Sequence, residues 1–373
     1  MSAKASIENK PLLSLPINLG LNDGTHCPPA CLEVVKQHNH DGAFRHYSQS
    51  ENEPLLQVIA DKDGVGTDNI YLANGSGPIL KQAVPHVIRT QIKSSFGRIC
   101  RHLVTKNGFP IITPWFTYSK VPAKAAGLGL TVRLMPLGPE NGWKLDPEEI
   151  RKEAKRQDGL VYIVNPNNPT GNVLITREDL EPLLSEFPRS IFWIDEAYVQ
   201  YVDPSVHSPV SDLVSKYPNL IVGRTFSFAY GLAGLRIGYL LGPVGLIAEL
   251  RAQVPDYRLG KFQQEVAVAA LTDPNHEEMI RRYCAEHRTM VQESLADIAG
   301  LEMFDSETNF LLARFTDDRK AAPFAANMLE NGIKIKTFAN LNEADYSQYF
   351  RFTLGTPDEN RFLIQQVRAL LAE

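Results

Sequence analysis

Cysteine is scarce in this sequence. The four present, Cys27, Cys31, Cys100 and Cys284, have no framework-like spacing, which excludes a disulfide-stapled scaffold and points to a reduced, cytoplasmic protein. Long apolar runs are missing too. None approaches the roughly 20 residues of a membrane span, and the opening M-S-A-K-A-S-I-E-N-K lacks the apolar core of a signal peptide. Nor is one sign of charge in excess. With 38 Lys and Arg against 43 Asp and Glu, the net charge of −5 gives no reason to expect nucleic acid or an anionic membrane as a partner. Metal-ligand spacing is also lacking. His26, Cys27 and Cys31 are interrupted by Pro28 and Pro29, and His38 and His40 have no paired cysteines beside them, so no metal is expected. There is no internal repeat and no low-complexity segment.

What is present is an ordinary globular composition, 43% hydrophobic and 22% charged over 373 residues, enough for two domains. Seven short apolar stretches fall between residues 70 and 241: Ile70–Asn74, Pro110–Thr113, Leu130–Pro136, Leu160–Asn165, Ser190–Asp195, Leu220–Arg224 and Ile237–Leu241. Helical runs separate several of them, among them Ile79–Ser94, Asp146–Gln157 with Asp146 as N-cap and Pro147 at the first position, and Arg177–Phe187. Short continuous strands alternating with helices predict an α/β domain whose sheet is buried on both faces. Beyond Gly242 the pattern becomes mostly helical with a few strands, a smaller α+β domain. The expected division is an N-terminal arm (1–40) associated with the small domain, a large domain (41–255) and a C-terminal small domain (256–373).

In open α/β sheets ligands bind beyond the carboxyl ends of the strands, so the residues following each strand sketch the site. After the first strand comes G-S-G-P, with Gly75, Ser76 and Gly77 ahead of a helix whose N–H groups suit a phosphate. P-W-F-T-Y after the second brings aromatic rings, Phe116 among them. P-N-N-P-T-G at 166 to 171 leaves an Asn amide facing the crevice, and D-E-A-Y puts Asp195 at a strand end with Tyr198 three residues on. R-T-F-S-F-A-Y-G-L-A-G-L-R supplies Thr225, Ser227 and Arg236, a second set of anion ligands. Together they suit a planar, phosphorylated heteroaromatic with a ring nitrogen to protonate and a phenolic oxygen, and pyridoxal phosphate meets each requirement.

These motifs, in this order, resemble the class I/II aminotransferases of pyridoxal-phosphate fold type I, and most closely the histidinol-phosphate aminotransferase branch. The resemblance runs from about Asn18 to Arg351, in F-R-F-T-L-G-T. It implies a large domain with a mixed, mostly parallel seven-stranded sheet between helices. It also implies pyridoxal 5'-phosphate or pyridoxamine 5'-phosphate as cofactor and an amino acid with a 2-oxo acid as substrates. On the matching positions, Asp195 pairs with the pyridine nitrogen, Tyr198 and Asn168 hold the phenolic oxygen, and Phe116 stacks on the ring. Ser76, Gly77, Thr225, Ser227 and Arg236 surround the phosphate. Arg351 grips the substrate carboxylate, with Asn309 and Asn22 nearby. Tyr47 resembles a tyrosine that reaches the phosphate from the other subunit, which implies a homodimer.

One position departs from the pattern. Where the family reads S-K-x-x-G-L-A-G-L-R, with a lysine that forms the Schiff base and carries protons, this sequence has Phe228. A phenyl ring does neither. Lys120 and Lys216 are weak stand-ins, since both read as surface residues. Three readings follow: a transaminase lineage that has lost its lysine, a lysine-independent enzyme acting on noncovalently held cofactor (a dehydratase, for example, or another reaction on an external aldimine), or a non-catalytic homologue that binds a ligand or partner.

Overall fold

The computed structural model describes residues 16–38, 53–253, 259–338 and 345–371. A two-residue strand, β1 (Ile17–Asn18), comes first. The main sheet is then built from β2 (Ile70–Ala73), β3 (Ile111–Pro114), β4 (Val132–Met135), β5 (Leu160–Val164), β6 (Ile191–Asp195), β7 (Leu220–Thr225) and β8 (Gly238–Leu241). Its spatial order is β2-β8-β7-β6-β5-β3-β4. Strands β4, β3, β5, β6 and β7 run parallel, whereas β8 is antiparallel to both its neighbours, β7 and β2. This is the mixed, mostly parallel seven-stranded sheet expected, and each strand lies within two residues of its expected position.

The apolar runs are continuous because both faces are covered. Along β5, Leu160, Tyr162 and Val164 point into one core cluster while Val161 and Ile163 point into the opposite one. All five are at most 2% exposed, and burial of each aliphatic side chain contributes about 1.5–3 kcal/mol. The helices start where their caps say. Asp146 accepts from the Glu148 amide at 2.9 Å ahead of the helix Pro147–Arg156, and Thr176 accepts from the Asp179 amide ahead of Arg177–Glu186.

The region read as helical beyond Gly242 resolves into Val244–Ala252, Lys261–Leu271 and His276–Leu295. A second sheet is antiparallel and has the order β12-β13-β10-β9, made of β9 (Leu301–Met303), β10 (Phe310–Phe315), β12 (Lys336–Thr337) and β13 (Tyr349–Thr353). Residues 333–337, I-K-I-K-T, form two short strands rather than one. The first, β11 (Ile333–Lys334), leaves that sheet to pair in parallel with β1. Two helices escaped the sequence reading, Phe96–Thr105 and Lys120–Gly127. The first has no fully buried residue, and its apolar side chains, Phe96, Leu103 and Val104, are exposed.

Candidate active site

Asp195 ends β6 and lies 7% exposed at the carboxyl edge of the main sheet. Its Oδ2 accepts from the Tyr162 hydroxyl at 2.8 Å. Burial pushes its carboxyl up to about 6, against the opposing pull of the Tyr162 hydroxyl and the Ala197 amide. A carboxylate in this position asks for a cation or an N–H donor.

A hydrogen-bonded network lies next to it. The Tyr198 hydroxyl accepts from Asn22 Nδ2 and from Asn168 Nδ2, both at 3.0 Å. Burial raises that phenol to about 12, opposed by the Arg351 charge and the two amides. Arg351 donates from Nη1 to Asn168 Oδ1 and from Nη2 to the Gly20 carbonyl at 2.8 Å, and its guanidinium sits 5.0 Å from the centre of the Phe310 ring. Asn309 donates to the Asn22 carbonyl at 3.0 Å. Thr353 closes the set, its Oγ1 accepting from the Asn22 amide at 2.9 Å and donating to Asn22 Oδ1. Arg351 Nε and Asn309 Oδ1 are buried with no hydrogen-bond partner among the described residues. Asn22, Asn168, Tyr198, Asn309 and Arg351 are thus brought together, although 331 residues separate Asn22 from Thr353.

The other end of the site is a cradle of donors. Thr225 ends β7, and its hydroxyl donates to Ser227 Oγ at 2.9 Å while accepting from the Ser227 amide at 3.1 Å. Gly75, at φ +90°, caps the helix Ser76–Lys93, and a Cβ there would lie 2.6 Å from Arg236 Nη2. The guanidinium, the two hydroxyls and a helix N-terminus therefore converge, a combination suited to a phosphate. Arg236 is exposed and has no carboxylate partner among the described residues. Gly77 faces open space and Gly75 makes the close approach, so the second glycine of the motif is less critical than the first.

Two rings depart from expectation. Phe116 does not offer a face to a ligand. Its ring is fully buried, with Tyr346 flat against it at 3.9 Å and 3° and with Trp143, Phe338 and Tyr349 around it. Aromatic packing from the segment ahead of β13 has taken the stacking surface. Phe228 is half-buried and stacks on Tyr198, with ring centres 4.6 Å apart and 15° between planes. Its carbonyl abuts Gly24, where a Cβ would come within 1.9 Å, so the N-terminal loop lies directly over it. Neither candidate lysine lies at the site. Lys216 bridges Glu181 at 2.8 Å on the surface, and Lys120 sits over the Tyr118 ring. Tyr47 and His40 lie outside the described residues.

The sequence reading missed what stands behind the site. Arg224, 3% exposed, places Nη2 at 2.8 Å from Glu196 and 3.2 Å from Asp63, and Asp63 accepts from the Tyr239 hydroxyl at 2.8 Å. Arg224 precedes Thr225 and Glu196 follows Asp195, so one buried ion-pair cluster backs both ends of the site. Its only signal was the charged residue inside an apolar strand run.

The sequence profile of the aminotransferase class I and II family matches residues 12–367. The chain belongs to this family. A histidinol-phosphate aminotransferase from Gluconacetobacter diazotrophicus is 31% identical over 368 residues, covering 97% of this chain and 93% of its own length. Among solved structures, histidinol-phosphate aminotransferase from Sinorhizobium meliloti, in complex with pyridoxal-5'-phosphate, matches with a TM-score of 0.78 at 26% identity, covering 95% and 92% of the two chains. The histidinol-phosphate aminotransferase from Clostridium acetobutylicum matches with a TM-score of 0.79 at 20% identity, covering 95% and 99%. This class I and II aminotransferase chain therefore has the fold type I architecture, and its carboxyl-edge residues are the ones to weigh for function.

Proposed function

We propose that this chain binds pyridoxal 5'-phosphate or pyridoxamine 5'-phosphate noncovalently between Asp195 and the Gly75–Thr225–Arg236 cradle. We further propose that it is an aminotransferase-type protein for an amino acid or amino-acid-like amine and a 2-oxo acid, without the usual lysine. The observation that carries this reading is the pairing of a buried, cation-seeking carboxylate with a phosphate cradle, with the Tyr198–Asn168 pair beside the carboxylate. The residues fit the cofactor at both ends, while the closed Phe116 face withholds the stacking partner.

Bound there, the cofactor supplies an electron sink for charge developing at the substrate Cα. The chain supplies the rest. Asp195 holds a proton on the pyridine nitrogen, Tyr198 and Asn168 hold the phenolic oxygen, and Ser76, Thr225, Ser227 and Arg236 hold the phosphate. Arg351, held by Asn168 and Gly20, orients an α-carboxylate, its Nε having no partner among the described residues. Phe228 neither gives nor accepts a proton, which removes a general-base contribution of about 10²–10⁴.

The packing of Phe228 on Tyr198 favours a second reading. The ring fills its place under the Gly24 loop, as suits lysine-independent chemistry such as dehydration. A homodimer, with Tyr47 serving the partner's site, and a division of the chain near residues 40 and 255 are part of the same proposal.

Absorbance titration with each cofactor, with and without borohydride, tests it. The expected result is a saturable cofactor band that borohydride does not fix to the protein. No band on titration with either cofactor would sink both readings.

A further inference from the structure

The net charge of −5 conceals a segregation. Residues 69–139 carry nine Lys or Arg and no Asp or Glu, so all 43 acids lie elsewhere. Within this stretch stands the helix Phe96–Thr105, F-G-R-I-C-R-H-L-V-T, which has no buried residue. Phe96, Leu103 and Val104 are 81%, 69% and 84% exposed. With Cys100, also exposed, they fall at i, i+4, i+7 and i+8, one stripe of the helix. Lys93, Arg101 and Lys106 flank the stripe, and none has a carboxylate partner among the described residues. Single exposed apolar residues need no explanation, but a protruding stripe rimmed by unpaired cations does.

The place of this face in the fold is informative. The groove beside the helix, about 560 Å³, is lined in part by Gly108, Gln157, Asp158 and Ile191. These residues stand just before or at the start of β3, β5 and β6. The face therefore lies at the amino ends of the strands, a strand's length of roughly 15–20 Å from Asp195. It steers nothing into the active site. Arg98, which donates to Asp158 and to Gln91, gives the groove fixed polar groups beside the apolar stripe.

We propose that this face docks a partner protein through an acidic helix whose own apolar stripe covers Phe96, Leu103 and Val104. Charge complementarity selects the occupant. A partner rimmed with Asp and Glu meets Lys93, Arg101 and Lys106 around the stripe, and Asp158, the acid lining the adjoining groove, is already paired with Arg98 and Arg189, while the acids elsewhere on this molecule repel such a partner and so fix the register. The groove with its oriented Arg98–Asp158 pair favours a protein surface over a bilayer, which offers nothing to match it. This inference is independent of the proposed cofactor chemistry.

The probe is a fluorescent helical peptide of about 20 residues with Leu at heptad positions a and d and Glu at e and g, titrated with the full chain. The comparators are the same peptide with Lys for Glu, vesicles containing phosphatidylserine, and an oligothymidine strand. The Glu peptide should bind best and weaken at least about tenfold between about 0.05 and about 0.3 M salt. A combined F96S/L103S/V104S variant and a combined K93E/R101E/K106E variant should each lose about tenfold or more, with far-UV circular dichroism and urea-unfolding midpoints like the parent's showing that both remain folded.

Equal binding of the Lys peptide, preference for vesicles or oligonucleotide, or indifference to both variants overturns the proposal. A fall in the protein's solution mass on making the apolar variant also overturns it, because the face would then be an interface between copies.

Discussion

Asp195 illustrates how burial prepares a side chain for a ligand. Its carboxyl is raised from 3.8 to about 6, so the unliganded fold holds that proton more tightly than the unfolded chain does. That contribution to stability is complete below about pH 4 and is lost as pH rises through 6, because the unfolded chain gives up its proton first. Asp195→Asn should therefore melt higher than the parent at pH 7 by about 2 kcal/mol and show little difference at pH 4, read by urea unfolding at the two pH values. The same variant should bind pyridoxamine phosphate more weakly, and the parent's affinity should gain a rise across pH 6 that the variant lacks. Equal pH dependence in both proteins would remove Asp195 from the cofactor's ring nitrogen. At Phe228 the expected outcome is qualitative. Phe228→Lys gives up a stacking contact of about 0.5–1.5 kcal/mol with Tyr198, and borohydride should now fix pyridoxal phosphate to the protein, seen as a mass increase of the intact chain. An unmodified mass at cofactor saturation would show that residue 228 does not face the cofactor's aldehyde.

Elements carry these residues to one edge, and two junctions decide how well they do so. The turn between β2 and the helix Ser76–Lys93 depends on Gly75, where φ is +90° and the Arg236 guanidinium fills the space of a side chain. Gly75→Ala should cost about 1–3 kcal/mol and weaken phosphate-bearing cofactors more than pyridoxal itself, measured by parallel titrations. Gly77→Ala, facing open space, is the matched control. Behind the sheet, Arg224 joins Glu196 to Asp63 of the helix Glu53–Asp63. Arg224→Met strands two buried carboxylates and should cost about 3–5 kcal/mol in urea unfolding. A loss under about 1 kcal/mol would mean that solvent reaches the cluster. The strands themselves were legible in the sequence because burial on both faces forces unbroken apolar runs, as in Leu160–Val164. The helix Phe96–Thr105 was missed although Phe96, Cys100, Leu103 and Val104 fall at helical spacing, because the run is short and carries Gly97, Val104 and Thr105, poor helix formers. The grouping of Asp195, Tyr198, Asn168 and Arg351 at one edge was legible because short motifs fix their neighbours. The site was illegible at Phe116, since the ring that covers it, Tyr346, comes from a segment 230 residues away in the chain.

Across the whole molecule, the site is assembled from both ends of the chain. Gly20 and Asn22 reach Arg351, Tyr198 and Thr353 while β1 pairs with β11, so the N-terminal loop is pinned by C-terminal residues. This has a bearing on how the protein is made. The main sheet is complete once Leu241 has left the ribosome, and its core can form while synthesis continues. Asn22 is made 331 residues before Thr353, yet its amide and its Oδ1 must wait for that hydroxyl to be satisfied. A nascent chain arrested after β8 would hold Asp195 and the residues of the proposed phosphate cradle but would lack Arg351, the guanidinium proposed to receive a substrate carboxylate. The proposed grip on an anionic substrate is therefore acquired after the phosphate cradle.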